Sequence, residues 1–194
     1  MIRLILFSGV ILFSMACNNN PIETKSKDET YLHQGDSIIK NTFDTLRNAL
    51  TNAIGQNGFA GALQYCNVQA LPITSLYASQ NITVSRVSDK NRNPGNAMSE
   101  LDKLQWEKLK IAFEKKDSLK ATIVDNKEDI HYYKPILIQG MCLSCHGTPN
   151  KEISKELLTQ ISTLYPEDKA TGYKTGDLRG MWHVVFKKKN MSIE

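Results

Sequence analysis

Long apolar runs are scarce in this chain. The one stretch of note, Leu4 to Phe7 with Val10 to Phe13, falls short of the ~20 residues needed to cross a hydrocarbon core, so a permanent membrane span is the weaker reading of it. An excess of one charge sign is missing too. There are 24 Lys and Arg against 20 Asp and Glu, a formal +4 spread along the chain apart from Lys187, Lys188 and Lys189, and nucleic-acid binding has no footprint beyond that short tail. With 11 glycines, 6 prolines and 8% aromatics, collagenous, low-complexity and wholly disordered chains are poor fits. Internal repeats and a regular βαβ alternation are absent, as is a second Cys or His pair of the kind that completes a zinc knuckle. At 194 residues the chain can bury one core and has no room for a sensor fused to a separate catalytic module.

The N-terminus carries Arg3, the apolar run, and then Ser14, Met15 and Ala16 before Cys17, which reads as a secretory signal with a lipobox-like end. Ser14 stands where Leu is usual; cleavage without lipid and an uncleaved anchor are the alternatives to lipidation at Cys17. Residues 1–16 are expected to be the signal peptide, 17–30 a flexible polar tether, and 31–190 the folded domain. Removal of Met1 to Ala16 takes away only Arg3 among the charges and leaves +3.

Apolar positions Ile39, Phe43, Leu46 and Leu50 recur at helical steps and predict a helix from Ile38 to near Gly55. A second helix is expected from Phe59 through Ala62, Leu63, Cys66 and Ala70, stopped by Pro72, with Cys66 on its core-facing stripe. Asn81 to Val87 alternates as a strand, and Asn93-Pro94-Gly95 is turn chemistry. Ser99 with Asp102 opens a helix through Leu101, Leu104, Leu109 and Phe113. Leu119 to Val124 and Ile130 to Ile138 read as strands, the second carrying Pro135, which favours an edge or a bulge. Ile153 to Leu164 predicts a helix ended by Pro166, and Leu178 to Phe186 a last strand. Helices first and then mixed elements argue α+β with an antiparallel sheet.

Cys142-Leu143-Ser144-Cys145-His146 is the c-type haem attachment sequence. Two thiols three residues apart reach two vinyl groups along one haem edge, and His146 becomes the proximal axial ligand. Zinc and a plain disulfide are the alternatives, the first short of a fourth ligand. Of 4 cysteines, Cys17 goes to lipid and Cys142 and Cys145 to thioethers, which leaves Cys66 unpaired in an oxidising compartment. Cys66 is either a small buried hydrophobe or a thiolate on the iron opposite His146; His33, His131, His183 and Met98 are the other candidates for that position.

The chain resembles a family of exported single-haem c-type proteins with a PAS-like domain, long catalogued as a domain of unknown function. Four segments carry the resemblance: Ala62 to Asn67, Arg92 to Ala97, Tyr133 to Ile136 leading into Cys142 to Gly147, and Tyr165 to Tyr173 with Gly176 to Gly180. Family members often carry a Pro and an acidic residue where this chain has Met98 and Ser99. The resemblance implies a PAS-like α+β fold around one covalent haem, with Cys66 matching the helix cysteine and so a candidate iron ligand. It also implies a redox-sensing or signalling role with no established reaction. Arg92 and Arg179 are candidate partners for the haem propionates, although the Arg92 segment reads equally as a turn held by Asn side chains. Gly172, Gly176 and Gly180 are expected to supply unusual backbone angles. Tyr132 and Tyr133 read as core packing before haem contacts.

Three functions are therefore weighed. One is a lipid-anchored redox or small-ligand sensor on the periplasmic side of a bacterial membrane, passing its signal to a separate protein. The second is an electron-transfer cytochrome of a respiratory chain, and the third a haem enzyme using His131 or His183 as acid/base.

Overall fold

The computed structural model describes residues 26–188 apart from 77 and 80. Helix α1 spans Lys27–Ser75 and opens on a capping box, in which Ser26 Oγ accepts from the Glu29 amide while the Glu29 carboxylate accepts from the Ser26 amide. It starts eleven residues before the expected Ile38, inside the stretch expected to be tether. Ser26 and Glu29 supply the N-terminal signal that apolar periodicity alone did not weigh. The break comes at Gly58, with φ 65° and ψ −173°, rather than at Gly55. That combination is open almost only to glycine, so the two expected helices are two arms of one kinked element. Pro72 does not stop the second arm. It removes one backbone donor, and the Thr74 and Ser75 hydroxyls donate to the carbonyls of Ala70 and Leu71 beside it.

Strands β1 (Ile82–Val87), β2 (Thr122–Asp125), β3 (Asp129–Leu137) and β4 (Leu178–Lys187) form one antiparallel sheet in the order β1-β4-β3-β2. The expected α+β class, an antiparallel sheet with flanking helices, is the fold adopted. Pro135 lies two residues beyond Tyr133, where the β2 ladder ends, so at that position β3 has a neighbour only on the β4 side, and the register shifts just after, at Ile136/Leu137.

Side-chain alternation along the strands divides the core. On one face Ile39 of α1 packs against Val84, Ile130, Tyr132, Trp182, Val184 and Phe186. On the other, α2 (Glu100–Glu114) brings Trp106 onto Val87, Tyr133 and Met181. Ser99 and Asp102 make the expected capping box of α2. Beyond the sheet, α4 (Lys155–Leu164) lays Leu157 and Ile161 against Leu63 of the second arm. That contact holds the arm away from the end of the sheet and leaves a cavity between them.

Candidate functional site: a cysteine- and arginine-lined cavity

The cavity holds about 300 Å³ and is partly open to solvent. Its walls come from both arms of α1, from the α1-facing side of β1, β3 and β4, and from the short helix α3 (Leu143–His146). Cys66, Arg92, Cys142, Cys145, His146 and Arg179, dispersed over more than a hundred residues of sequence, all line it. Cys17 lies outside the described residues.

Gly140 to Cys142 form a 3-10 turn that runs into α3, so Cys142 and Cys145 sit one helical turn apart. Both thiols are free, as is that of Cys66. Gly147 follows the helix as its C-cap, and a Cβ there would lie 2.7 Å from the Leu143 carbonyl oxygen and from Glu152 Cβ. The loop Tyr165 to Tyr173 then wraps His146: the Tyr173 amide donates to the His146 carbonyl (3.0 Å), and His146 Nδ1 donates to the Ala170 carbonyl (2.7 Å). A carbonyl can only accept, so Nδ1 carries the hydrogen and Nε2 keeps a free lone pair. Burial, with Arg92 and Arg179 nearby, holds the His146 ring well below its ordinary pKa and therefore neutral. A neutral imidazole with one nitrogen held by a carbonyl is the state in which histidine ligates a metal.

Arg92 is the clamp of this loop. Its Nε and Nη2 donate to the two oxygens of Asp168 (3.1 and 3.0 Å), and Nη2 also donates to the Cys145 carbonyl (2.7 Å). Arg92 and Asp168 are both nearly buried, with 11% and 8% of their side chains exposed. Asn93 caps the following 3-10 turn from its side chain, so the turn reading of this segment holds alongside the ion pair. Arg179 donates to Ser88 Oγ (2.9 Å) and the Lys90 carbonyl (3.1 Å) and covers the Tyr173 ring. Both arginines expected to meet a propionate are thus already engaged with protein acceptors. Gly172 and Gly176 adopt positive φ (81° and 90°) as expected; Gly180 does not, and is needed because a Cβ would stand 2.5 Å from the Val87 carbonyl oxygen.

Cys66 is half-buried on the cavity wall. Burial pushes its thiol up, against the opposing pull of Arg86 and Arg92. The other candidates for a ligand opposite His146 are elsewhere. His131 and His183 lie on the α2 face of the sheet, where His183 Nδ1 donates to Asp102 (3.0 Å) and His131 Nδ1 bonds His183 Nε2 (2.9 Å). Strand alternation put them across the sheet from the cavity, which a position-by-position reading of histidines could not decide. His33 is exposed on the first arm of α1, and Met98 packs with the α2-side core. Tyr132 and Tyr133 are core residues as expected, with hydroxyls on Asp36 and Asp102.

The side chain that sequence reasoning missed is Arg86. It follows Ile82 and Val84 on the inward face of β1, pairs in register with Trp182, and lines the cavity. The signal was present: a charged residue at an inward position of a strand.

Among the described residues no three His, Cys, Asp or Glu side chains converge on one point to hold a bare metal ion. Fold and site together define an α+β protein with an interior cavity faced by a Cys-x-x-Cys-His turn. Residues 22–186 match the Tll0287-like family model, and the chain belongs to that family, in line with the resemblance read from its sequence. Among solved structures it is similar to the crystal structure of the cyanobacterial heme-protein Tll0287, at 26% identity and a TM-score of 0.61, over 82% of this chain and 96% of the other. No curated protein matches it.

Proposed function

We propose that this chain is an exported, lipid-anchored protein that holds one haem covalently through Cys142 and Cys145 and serves as a redox or small-ligand sensor. The observation that carries the haem reading is His146. Its Nδ1 is committed to the Ala170 carbonyl, so its Nε2 lone pair is free beside two free thiols on one cavity wall, with Cys66 on the same cavity. The heme-protein Tll0287 supports it, since that relative spans the same domain. Bound haem would supply one-electron chemistry, and everything else is the work of the chain's own groups. Cys142 and Cys145 would tether the group, His146 and Cys66 would hold its iron, and Arg92 with Asp168 would keep the His146 loop in place. Leu50, Ile54, Leu63 and Trp182 would exclude water from it.

The sensor reading rests on where Cys66 sits: on the second arm of α1, beyond the Gly58 kink, so that whatever Cys66 holds is coupled to the angle of a helix. A carrier of electrons is the second reading. It is favoured by the exposed apolar side chains Phe59, Leu71, Leu137 and Met141 at the cavity, a surface suited to a transient partner.

Expression with a cytochrome c maturation system tests the proposal. A red protein is expected, heavier than the apoprotein by one haem that resists acid-acetone extraction, with attachment reduced in Cys142→Ala and Cys145→Ala. A colourless product overturns it. Cys66→Ala should keep haem content, change the ferric low-spin spectrum and raise the reduction potential, because a thiolate stabilises the ferric state. A variant identical to wild type removes Cys66 from the ligand set and the helix-coupled sensor with it.

A further inference from the structure

The cavity wall carries four arginines, Arg47, Arg86, Arg92 and Arg179, and no acidic side chain. Arg92 donates through Nε and Nη2 to Asp168 and the Cys145 carbonyl, and Arg179 through Nη1 to Ser88 and the Lys90 carbonyl. Arg47 is exposed on α1. Arg86 differs from all three. Its Nε is buried without a hydrogen-bond partner. The Trp182 ring centroid lies 5.8 Å from its guanidinium carbon.

A buried donor left unmade costs roughly 1–3 kcal/mol, more when it is charged, so such a group is kept where a ligand completes it. The ligand must be anionic, since the guanidinium is a cation and presents only donors. An acceptor with two oxygens matches the fork, and a carboxylate has that shape.

We propose that Arg86 is the residue that binds a haem propionate, the assignment resting on the haem reading above. Arg92 and Arg179 shape the wall and the His146 loop instead. The expectation drawn from sequence, which gave the propionates to Arg92 and Arg179, is thereby moved to a residue in β1.

The test reads the propionate directly. Resonance Raman spectra of the haem-loaded wild type are compared with those of Arg86→Gln, which keeps bulk and polarity without charge, and Arg86→Lys, which keeps charge without the fork. The propionate bending band is expected to shift in Arg86→Gln and to shift less in Arg86→Lys, with haem content unchanged because attachment depends on Cys142 and Cys145. Should Arg86→Gln fail to accumulate, Arg86→Lys decides alone, since loss of the fork still moves the band. A band unmoved in the variants, or one that moves only in Arg179→Lys, overturns the assignment while leaving the haem reading intact. A wild type without haem overturns both.

Discussion

Asp168 shows how far one carboxylate reaches at the scale of single residues. It holds Arg92 by two bonds, accepts from the Ala170 amide (2.9 Å), and so fixes the carbonyl that orients His146. Breaking a buried pair by removing one partner strands the other charge, at a cost of about 3–5 kcal/mol. Asp168→Ala is therefore expected to lower the unfolding free energy by that order in denaturant titrations, and to loosen His146 as well. Asp168→Glu should lose less, because the charge is kept. An Asp168→Ala protein as stable as wild type would mean that the pair is solvated in practice. The attachment motif was legible in sequence because five adjacent residues carry it. Asp168 and Arg92 lie in two separate segments, and nothing in one sequence says that residues 76 positions apart meet.

The decisive feature among the elements is the kink in α1. Gly58 holds a backbone conformation that costs a side-chain-bearing residue roughly 1–3 kcal/mol, and the second arm beyond it carries Cys66 into the cavity. Gly58→Ala should thus destabilise the fold by about that amount, read as a lowered Tm. Relief of the strain by straightening α1 would swing Cys66 off the cavity, so the ferric spectrum should move toward that of Cys66→Ala. An unchanged Tm and spectrum would show that the kink tolerates a Cβ. Helix periodicity located both arms and the turn residue region between them. It missed that they form one element, because periodicity reports faces and not the angle between successive helices.

Considered whole, the molecule puts its two buried polar sets on opposite faces of one sheet. The His131, His183 and Asp102 chain lies under α2, with the Asn126 amide at its outer end (2.9 Å to His131 Nε2). Burial and His183 hold His131 below its ordinary 6.5. The unfolded chain therefore binds the extra proton first, and stability rises with pH across the window between the lowered folded value and 6.5. Acidification from pH 7 through that window should lower the Tm, with a slope of at most about 1.4 kcal/mol per pH unit, less for the water that still reaches the ring. In His131→Gln the slope should flatten. Burial alone would raise the Asp102 carboxyl, but bonds from His183 and Ser99 take it below the usual range, so its contribution is present above 3.8 and is lost only as pH falls through its lower folded value. A wild-type Tm that is flat from pH 7 to 5 would show that His131 does not titrate against folding. At the same scale, incorporation of labelled palmitate that vanishes in Cys17→Ser is the expected mark of the anchor, and retained label would refute it.

The sequence by itself determined the α+β class, the four strands to within three residues, the start of α2, the end of α4, and the Cys142 to His146 motif. Each of these is written in local periodicity, capping or contiguous spacing, and local interactions are readable one segment at a time. Only the tertiary structure decided which side of the sheet each histidine faces, that Cys66 reaches the same cavity as His146, and that Arg92 and Arg179 are already paired while Arg86 is not. Those are statements about which groups find partners. In a buried, water-poor site a partner is whatever the packing of distant segments brings within hydrogen-bond reach, and a residue's neighbours in sequence do not determine that.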